Sequence, residues 1–260
     1  MSANGPVFVV GCPRSGTSAL SWALASHPDW WTSVETHFFY YLLRDNWFAN
    51  AWSGSRGGGS WLEVHGVSGD EFMAHAGAGF DRMMRSRSEG RNWVDGSPEN
   101  LMVADPLLRM FGDAHMFHVV RSPHAVCLSM LNSGFGEPWA RDLAAAIDIW
   151  KHYVSTGLSL VRAFPDRVTQ LRQEDMRAAP ARVADEIGCR LGLEDVEPIS
   201  AFLACQKINS SFDKTSYSAL GPFLGAETAR LDPDEFYASH GARIWEETAP
   251  LASQCGYDRA

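Results

Sequence analysis

The segment Val7–Leu20, VFVVGCPRSGTSAL, limits the possible folds more than any other stretch of the chain. The apolar residues Val7 to Val10 show no polar alternation, so they read as a strand buried on both faces. The run stops at Gly11, passes through Pro13 and Gly16, and meets a helical pattern that continues through Leu20 and Leu24. Strand, tight loop and helix N-terminus in that order aim backbone N–H groups and the positive end of a helix dipole at one point. This predicts a cradle for a phosphate or sulfate group. The frame is that of a nucleotide phosphate loop, except that Thr17 stands where ATP- and GTP-binding loops carry lysine.

That lysine serves the outer phosphates of a nucleoside triphosphate, and the Ser or Thr after it ligates magnesium. Here Arg14 is the only cation in the loop. Its guanidinium offers planar, bidentate hydrogen bonds to an oxyanion and keeps its charge at any working pH. The hydroxyls of Thr17 and Ser18 can donate without any metal.

Further apolar runs suited to buried strands lie at Asp29–Val34, Arg91–Gly96, Ala114–Val120 and Arg167–Arg172, with helix-length amphipathic segments between them. Such alternation predicts an α/β fold with a central parallel sheet flanked by helices. The clearest helix spans Pro138 to Ala163, where Leu143, Ile147, Trp150, Val154, Leu158 and Val161 recur at helical steps and read as core. The Gly- and Ser-rich stretch Asn50–Trp61 reads as a solvated connector. Beyond Pro198 the strand signals fade, and the pattern predicts short helices and loops. At 260 residues, with no repeat or linker, the chain is expected to form one domain over residues 1–260.

Net charge is −9, which argues against nucleic acid or another long polyanion as partner. No apolar run is long enough to span a bilayer, and no basic segment precedes the N-terminal apolar run, so neither membrane anchoring nor a signal peptide is expected. The five cysteines, Cys12, Cys127, Cys189, Cys205 and Cys255, are scattered and contain no CxxC pair. They predict neither a disulfide framework nor a metal site, and fit a cytoplasmic protein.

The residues PRSGTS, Pro13–Ser18, resemble the 5′-phosphosulfate loop of the sulfotransferases that use 3′-phosphoadenosine 5′-phosphosulfate (PAPS), commonly written P-[KR]-[SG]-G-[ST]-[ST]. The resemblance implies a donor with a single 5′-phosphate bearing a sulfuryl group, so that no β- or γ-phosphate calls for the lysine. It also implies 3′,5′-bisphosphoadenosine (PAP) as a product, and donor contacts from Arg14, Ser15, Gly16, Thr17 and Ser18. The stretch VVRSPHAVCLS is similar to the family's 3′-phosphate motif and assigns that phosphate to Arg121 and Ser129. Locally, Arg121 closes a strand, Ser122 caps the next helix, Pro123 takes its first position, and Ser129 lies about two turns onward.

The stretch SVETHFFYY resembles the segment after the second strand in heparan sulfate 3-O-sulfotransferases and N-sulfotransferases, where a Glu three residues before a Phe-Phe pair is the general base. Carried over, Glu35 is the base. A carboxylate at a strand end near the phosphate loop can take the proton of an attacking hydroxyl, and adjacent aromatics exclude water and raise its pKa. His37 is an alternative base or a donor to the acceptor. VDGSPENL resembles a substrate-side K-[ST]-P segment, but Gly96 stands where relatives often carry Lys. LRQEDMRAAP resembles a late RYEDL…P segment, and Lys214 in Asn209–Tyr217 is the candidate for a basic loop that closes over the donor.

These readings predict sulfuryl transfer from PAPS to a hydroxyl or amine of a small-molecule or glycan acceptor, with Arg14, Glu35 and His37 at the reacting centre and no metal. The acidic balance and Gly96 argue against a heparan-like polysaccharide. The aromatic run Phe38–Tyr41 allows an apolar or aromatic acceptor pocket. Ala19 occupies the place where some relatives put the adenine-stacking Trp. Two competing readings are a P-loop kinase or NTPase, with Asp95 positioning magnesium, and a non-catalytic anion-binding module.

Overall fold

The computed structural model describes residues 5–46, 50–51, 61–205 and 231–258. Each of the five apolar runs forms a strand: β1 (Val7–Gly11), β2 (Trp30–Thr32), β3 (Asn92–Asp95), β4 (His115–Val120) and β5 (Val168–Arg172). They make one parallel sheet in the order β2-β3-β1-β4-β5. β1 is central and pairs along its whole length with β4, from Val7 opposite His115 to Gly11 opposite Val119. From β1 the chain crosses to the edge strand β2, returns to β3, and then passes to β4 on the other side. Connections that leave a central strand in opposite directions open a crevice at the carboxyl ends of the strands. The loops after β1 and β4 border that crevice.

Helices cover both faces, which explains why β1 reads as an unbroken apolar run and β4 as a mostly apolar one. Phe8 and Val10 face a core that contains Phe39 of α2 (Phe38–Leu43), Leu107 of α5 (Ala104–Met110), Val126 of α6 (Pro123–Leu131) and Trp150 of α7 (Leu143–Ala163). Val7 and Val9 face the opposite core, with Leu20 and Leu24 of α1 (Thr17–Ala25), Ile187 of α9 (Pro180–Leu191) and Ile199 of α10 (Glu197–Cys205). Further helices are α3 (Trp61–Val64), α4 (Gly69–Arg87) and α8 (Gln173–Ala178). Around Phe8, Trp93 lies edge-on at 5.6 Å and Phe39 at 5.7 Å, and Phe39 stacks on Trp93 at 6.0 Å. Burying Phe39 completely anchors the segment that follows β2.

The predicted helix over Pro138–Ala163 is divided. A 3₁₀ turn spans Pro138–Ala140, and α7 begins at Leu143 because Asp142 accepts a hydrogen bond from the Ala145 N–H at 2.8 Å, a stronger N-cap than anything upstream. The expectation of short helices and loops beyond Pro198 is corrected by α11 (Pro233–Gln254), 22 residues long. Asp232 caps it by accepting from the N–H groups of Asp234 and Glu235 at 2.9 and 3.0 Å. Its fully buried side chains, Phe236, Ile244, Thr248 and Ala252, are too widely spaced to register as an apolar stripe, and Pro250 masks its last turn. Of the connector Asn50–Trp61, residues 52–60 lie outside the described residues, and so does Asn209–Tyr217 with Lys214. Among the described residues no helix is long and apolar enough to cross a membrane.

On β4, His118 is fully buried, and burial pulls its pKa down to about 4. Its ring lies directly against Gly157 of α7, where any β-carbon would overlap it. Gly157→Ala is therefore expected to destabilise the protein by about 1–3 kcal/mol through overpacking. Gly79→Ala in α4, where an added β-carbon would meet nothing within 4 Å, is expected to be neutral or to stabilise by up to about 1 kcal/mol. Urea denaturation of both variants checks this, and equal effects would contradict the packing described.

Candidate active site

The loop after β1 turns tightly. The Ser15 N–H donates to the Cys12 carbonyl at 3.0 Å, and Gly11 has no room for a side chain because Val119 of β4 passes beside it. Arg14 (φ 72°) and Gly16 (φ 100°) are both left-handed. That conformation is natural for glycine and unfavourable for arginine. No side chain caps the N-terminus of α1, which starts at Thr17. The Ser15 hydroxyl is buried inside the loop without a hydrogen-bond partner. An uncapped helix start with an unpaired hydroxyl in the preceding turn suits an anion.

The second predicted phosphate motif reaches the same place. Arg121, immediately after β4, donates from Nη1 to the Arg14 carbonyl at 3.0 Å, which holds Arg14 in its strained backbone conformation. Arg14 in turn donates from Nε to the Ser129 hydroxyl on α6 at 3.1 Å. Both guanidiniums have lowered pKa values, first through burial, and Arg14 also through the charge of Arg121. Two cations thus share one poorly solvated corner. Phe135 lies 5.9 Å from the Arg14 guanidinium carbon.

Ser122 does occupy the N-cap of α6, but its side chain makes no capping bond; its backbone N–H donates to Glu174 Oε1 at 3.0 Å. The other Glu174 oxygen accepts from the Tyr257 hydroxyl at 2.7 Å. His124 of α6 meets the Gly241 carbonyl at 2.9 Å, so α11 and the residues after it brace the arginine corner from behind. Glu174 lies within the LRQEDM stretch that the sequence singled out, whereas Tyr257 carried no sequence signal.

Facing this corner is Glu35. The segment that carries it is pinned through Asp95 at the end of β3, whose carboxylate accepts four hydrogen bonds: from Thr36 Oγ1 (2.6 Å), Ser97 Oγ (2.7 Å), Ser97 N–H (3.0 Å) and Asn100 Nδ2 (3.0 Å). Ser97 Oγ also accepts from the His37 N–H at 3.1 Å, which fixes His37 in the left-handed region at φ 55°. His37 Nε2 sits 3.5 Å from Glu35 Oε2, and its Nδ1 contacts Glu99 Oε1 from the 3₁₀ turn Pro98–Val103. The result is a carboxylate, imidazole, carboxylate row. Burial chiefly pushes the Glu35 pKa up to about 7, with Glu99 and Asp95 adding to the rise, and His37 and Arg14 opposing it. The hydrogen bond to Glu99 raises the His37 pKa. Glu35 still keeps 27% of its side-chain surface open, so its carboxylate can meet a substrate.

Of the residues that the sequence singled out, Arg14, Ser15, Gly16, Thr17, Arg121 and Ser129 surround one corner, and Glu35 and His37 stand opposite. Glu99 was missed as a member, although it lies in the VDGSPENL stretch, because nothing local reveals that it reaches His37. Gly96 has a steric reason: a β-carbon there would come within 2.5 Å of Ser21 Oγ on α1, so close helix packing excludes a lysine. With four donors already bound, Asp95 acts as a structural pin and loses the magnesium-positioning role of the kinase reading.

Comparison with known proteins agrees with this architecture. The family model described as Sulfotransferase family matches residues 6–198. Among solved structures, the sulfotransferase domain of the curacin biosynthetic pathway superposes with a TM-score of 0.58 at 19% identity, covering 100% of both chains. The sulfotransferase domain of the Synechococcus PCC 7002 olefin synthase gives 0.61 at 21% identity, covering 97% of this chain and 94% of that one. A sulfotransferase from Alicyclobacillus acidocaldarius gives 0.53 at 16% identity, covering 97% and 96%. Among curated proteins, no similar sequence was found.

The pin at Asp95 makes a direct prediction. Asp95→Asn would turn an amide N–H₂ toward donors that require an acceptor, and is expected to destabilise the fold by about 1–3 kcal/mol. Thermal denaturation reads the loss. An unchanged midpoint would show that the segment bearing Glu35 is held by other means.

Proposed function

The chain belongs to the sulfotransferase family, and on that premise we propose that it transfers a sulfuryl group from PAPS to a hydroxyl or amine of a small-molecule or glycan acceptor, with Glu35 as general base. The observation that carries this reading is the meeting of Arg121 with Arg14, which joins two separate phosphate motifs into one corner opposite Glu35. A donor carrying both a 5′-phosphosulfate and a 3′-phosphate would give that pair of guanidiniums the anionic partner their mutual repulsion calls for.

PAPS, when bound, supplies the sulfuryl group and a 5′-phosphate as leaving group. Arg14, the N–H groups of Gly16 to Ser18 and the hydroxyls of Ser15, Thr17 and Ser18 hold the 5′ end and stabilise the charge that develops there. Arg121 and Ser129 hold the 3′-phosphate. Lys214, which lies outside the described residues, is the proposed cation of a late loop over the donor. Glu35 takes the proton from the acceptor as its oxygen or nitrogen attacks sulfur. His37, between Glu35 and Glu99, stabilises the ionised base and can pass its proton onward. With Glu35, Glu99 and Asp95 on the acceptor side, the local field disfavours a polyanionic acceptor.

Glu35→Gln is expected to keep the thermal stabilisation that PAP gives the wild type, while lowering kcat by about 10²–10⁴-fold. Because the Glu35 pKa lies at about 7 and the ionised form is the active one, wild-type kcat should rise with pH through that value and level off above it. Thermal-shift and rate measurements check both. Stabilisation by ADP with magnesium in place of PAP, or normal turnover by Glu35→Gln, would contradict the proposal.

A further inference from the structure

The C-terminal end of α11 holds one side chain in a fixed place. Gly256 is left-handed (φ 77°), and its N–H and that of Tyr257 donate back to the carbonyls of Ser253 and Ala252, each at 3.0 Å. This paired-bond helix stop is the one that a glycine in that position allows. The turn brings Tyr257 against the end of β5, where the Arg172 guanidinium carbon lies 4.4 Å from the centre of its ring. Only 7% of Tyr257 is exposed. Its hydroxyl donates to Glu174 Oε2 at 2.7 Å, and burial, followed by this bond, raises the phenol's pKa and keeps it a neutral donor. The other Glu174 oxygen accepts from the Ser122 N–H at 3.0 Å, one peptide unit from Arg121. A carboxylate therefore stands beside the arginine proposed for the 3′-phosphate, with each oxygen tied to a different donor. Among the described residues Arg121 forms no ion pair, and its printed hydrogen bond goes to the Arg14 carbonyl. The charge of Glu174 still reaches Arg121, where it opposes the fall in pKa that burial chiefly causes.

We propose that Tyr257 is a positioning residue for the donor: by tethering Glu174 it keeps that carboxylate from pairing with Arg121, and so leaves the arginine to the 3′-phosphate. The inference rests on the sulfotransferase reading above. A carboxylate and a phosphate compete for one guanidinium, because each offers it a pair of charged oxygens. A carboxylate on the same chain competes at high effective concentration. The tether removes that advantage. Its hydroxyl is fixed by the helix stop and by the stack on Arg172, so Glu174 Oε2 has a donor in a set position. Without the hydroxyl, Oε2 loses its donor in a half-buried place, and a charged oxygen there gains by turning to a cation. Arg121 can keep its bond to the Arg14 carbonyl and still offer its other N–H groups to Glu174, since a guanidinium carries five. The loss then falls on a ligand with a 3′-phosphate, and hardly on one with a 5′-phosphate alone.

Calorimetric titration of PAP and 5′-AMP into the wild type, Tyr257→Phe, and Tyr257→Phe combined with Glu174→Gln tests this. Tyr257→Phe keeps the ring and its stack on Arg172 and removes only the hydroxyl. It should weaken PAP about three- to tenfold and 5′-AMP by less than about twofold. Glu174→Gln removes the competing charge, so the combined variant should recover a ratio of PAP to 5′-AMP affinity within about twofold of the wild type. A merely structural role for Tyr257 gives no such recovery, because a second change at its partner adds to the damage. An unchanged ratio in Tyr257→Phe, equal weakening of both ligands, or a combined variant no better than Tyr257→Phe would each overturn the inference. A wild type that binds PAP no more tightly than 5′-AMP is a different result: it would remove the 3′-phosphate role of Arg121 itself, and the inference with it.

Discussion

Two arginine cations brought into one poorly solvated corner are an arrangement that a bound anion stabilises. Arg14 and Arg121 are held that way by the fold itself. Arg121 leaves the end of β4, Arg14 leaves the end of β1, and those two strands pair in register along their length, so the ends cannot separate. The Arg121 bond to the Arg14 carbonyl then selects the left-handed backbone that the arginine would otherwise avoid. The cost of strain and charge at this corner is carried by the close-packed central strand behind it. This is the usual relation between a strained binding loop and a rigid scaffold.

The carboxylate side, around Glu35, follows the same logic with opposite charge. Phe39 is locked between Phe8 and Trp93, and the Asp95 carboxylate gathers Thr36, Ser97 and Asn100, so the short run from Glu35 to Phe39 is fastened at both ends. His37, between two carboxylates, tempers the repulsion that would otherwise keep Glu35 protonated. A carboxyl with a pKa of about 7 emerges from burial and two neighbouring acids acting against one imidazole and Arg14. The opposed cationic and anionic corners define a direction, which the proposed reaction uses with donor on the cationic side and acceptor on the other.

Much of this was legible in the sequence because its determinants are local. The five apolar runs became five strands, and the turn Gly11–Gly16 shows its glycines where the backbone needs them. Glu35 and Arg121 could be read because each lies within three residues of a strand's end in a short motif. What stayed hidden depends on distant contacts. Glu99 matters only because the 3₁₀ turn carries it back to His37, 62 residues away in the chain. Tyr257 matters only because it meets Glu174, 83 residues earlier. The long α11 was unreadable because its buried residues are sparse and its polar surface dominates. Spacing along the chain reveals secondary structure and motifs; it does not reveal which helix face looks into the crevice.

The most direct test of the central claim, that Arg14 and Arg121 grip the two ends of one bisphosphorylated nucleotide, is calorimetric titration of PAP and 5′-AMP into the wild type and Arg121→Ala. The account predicts that the wild type binds PAP much more tightly than 5′-AMP, and that Arg121→Ala weakens PAP far more than 5′-AMP, whose smaller loss reflects the freed Arg14 carbonyl. Equal weakening of both ligands, or a wild type that does not distinguish them, would contradict it.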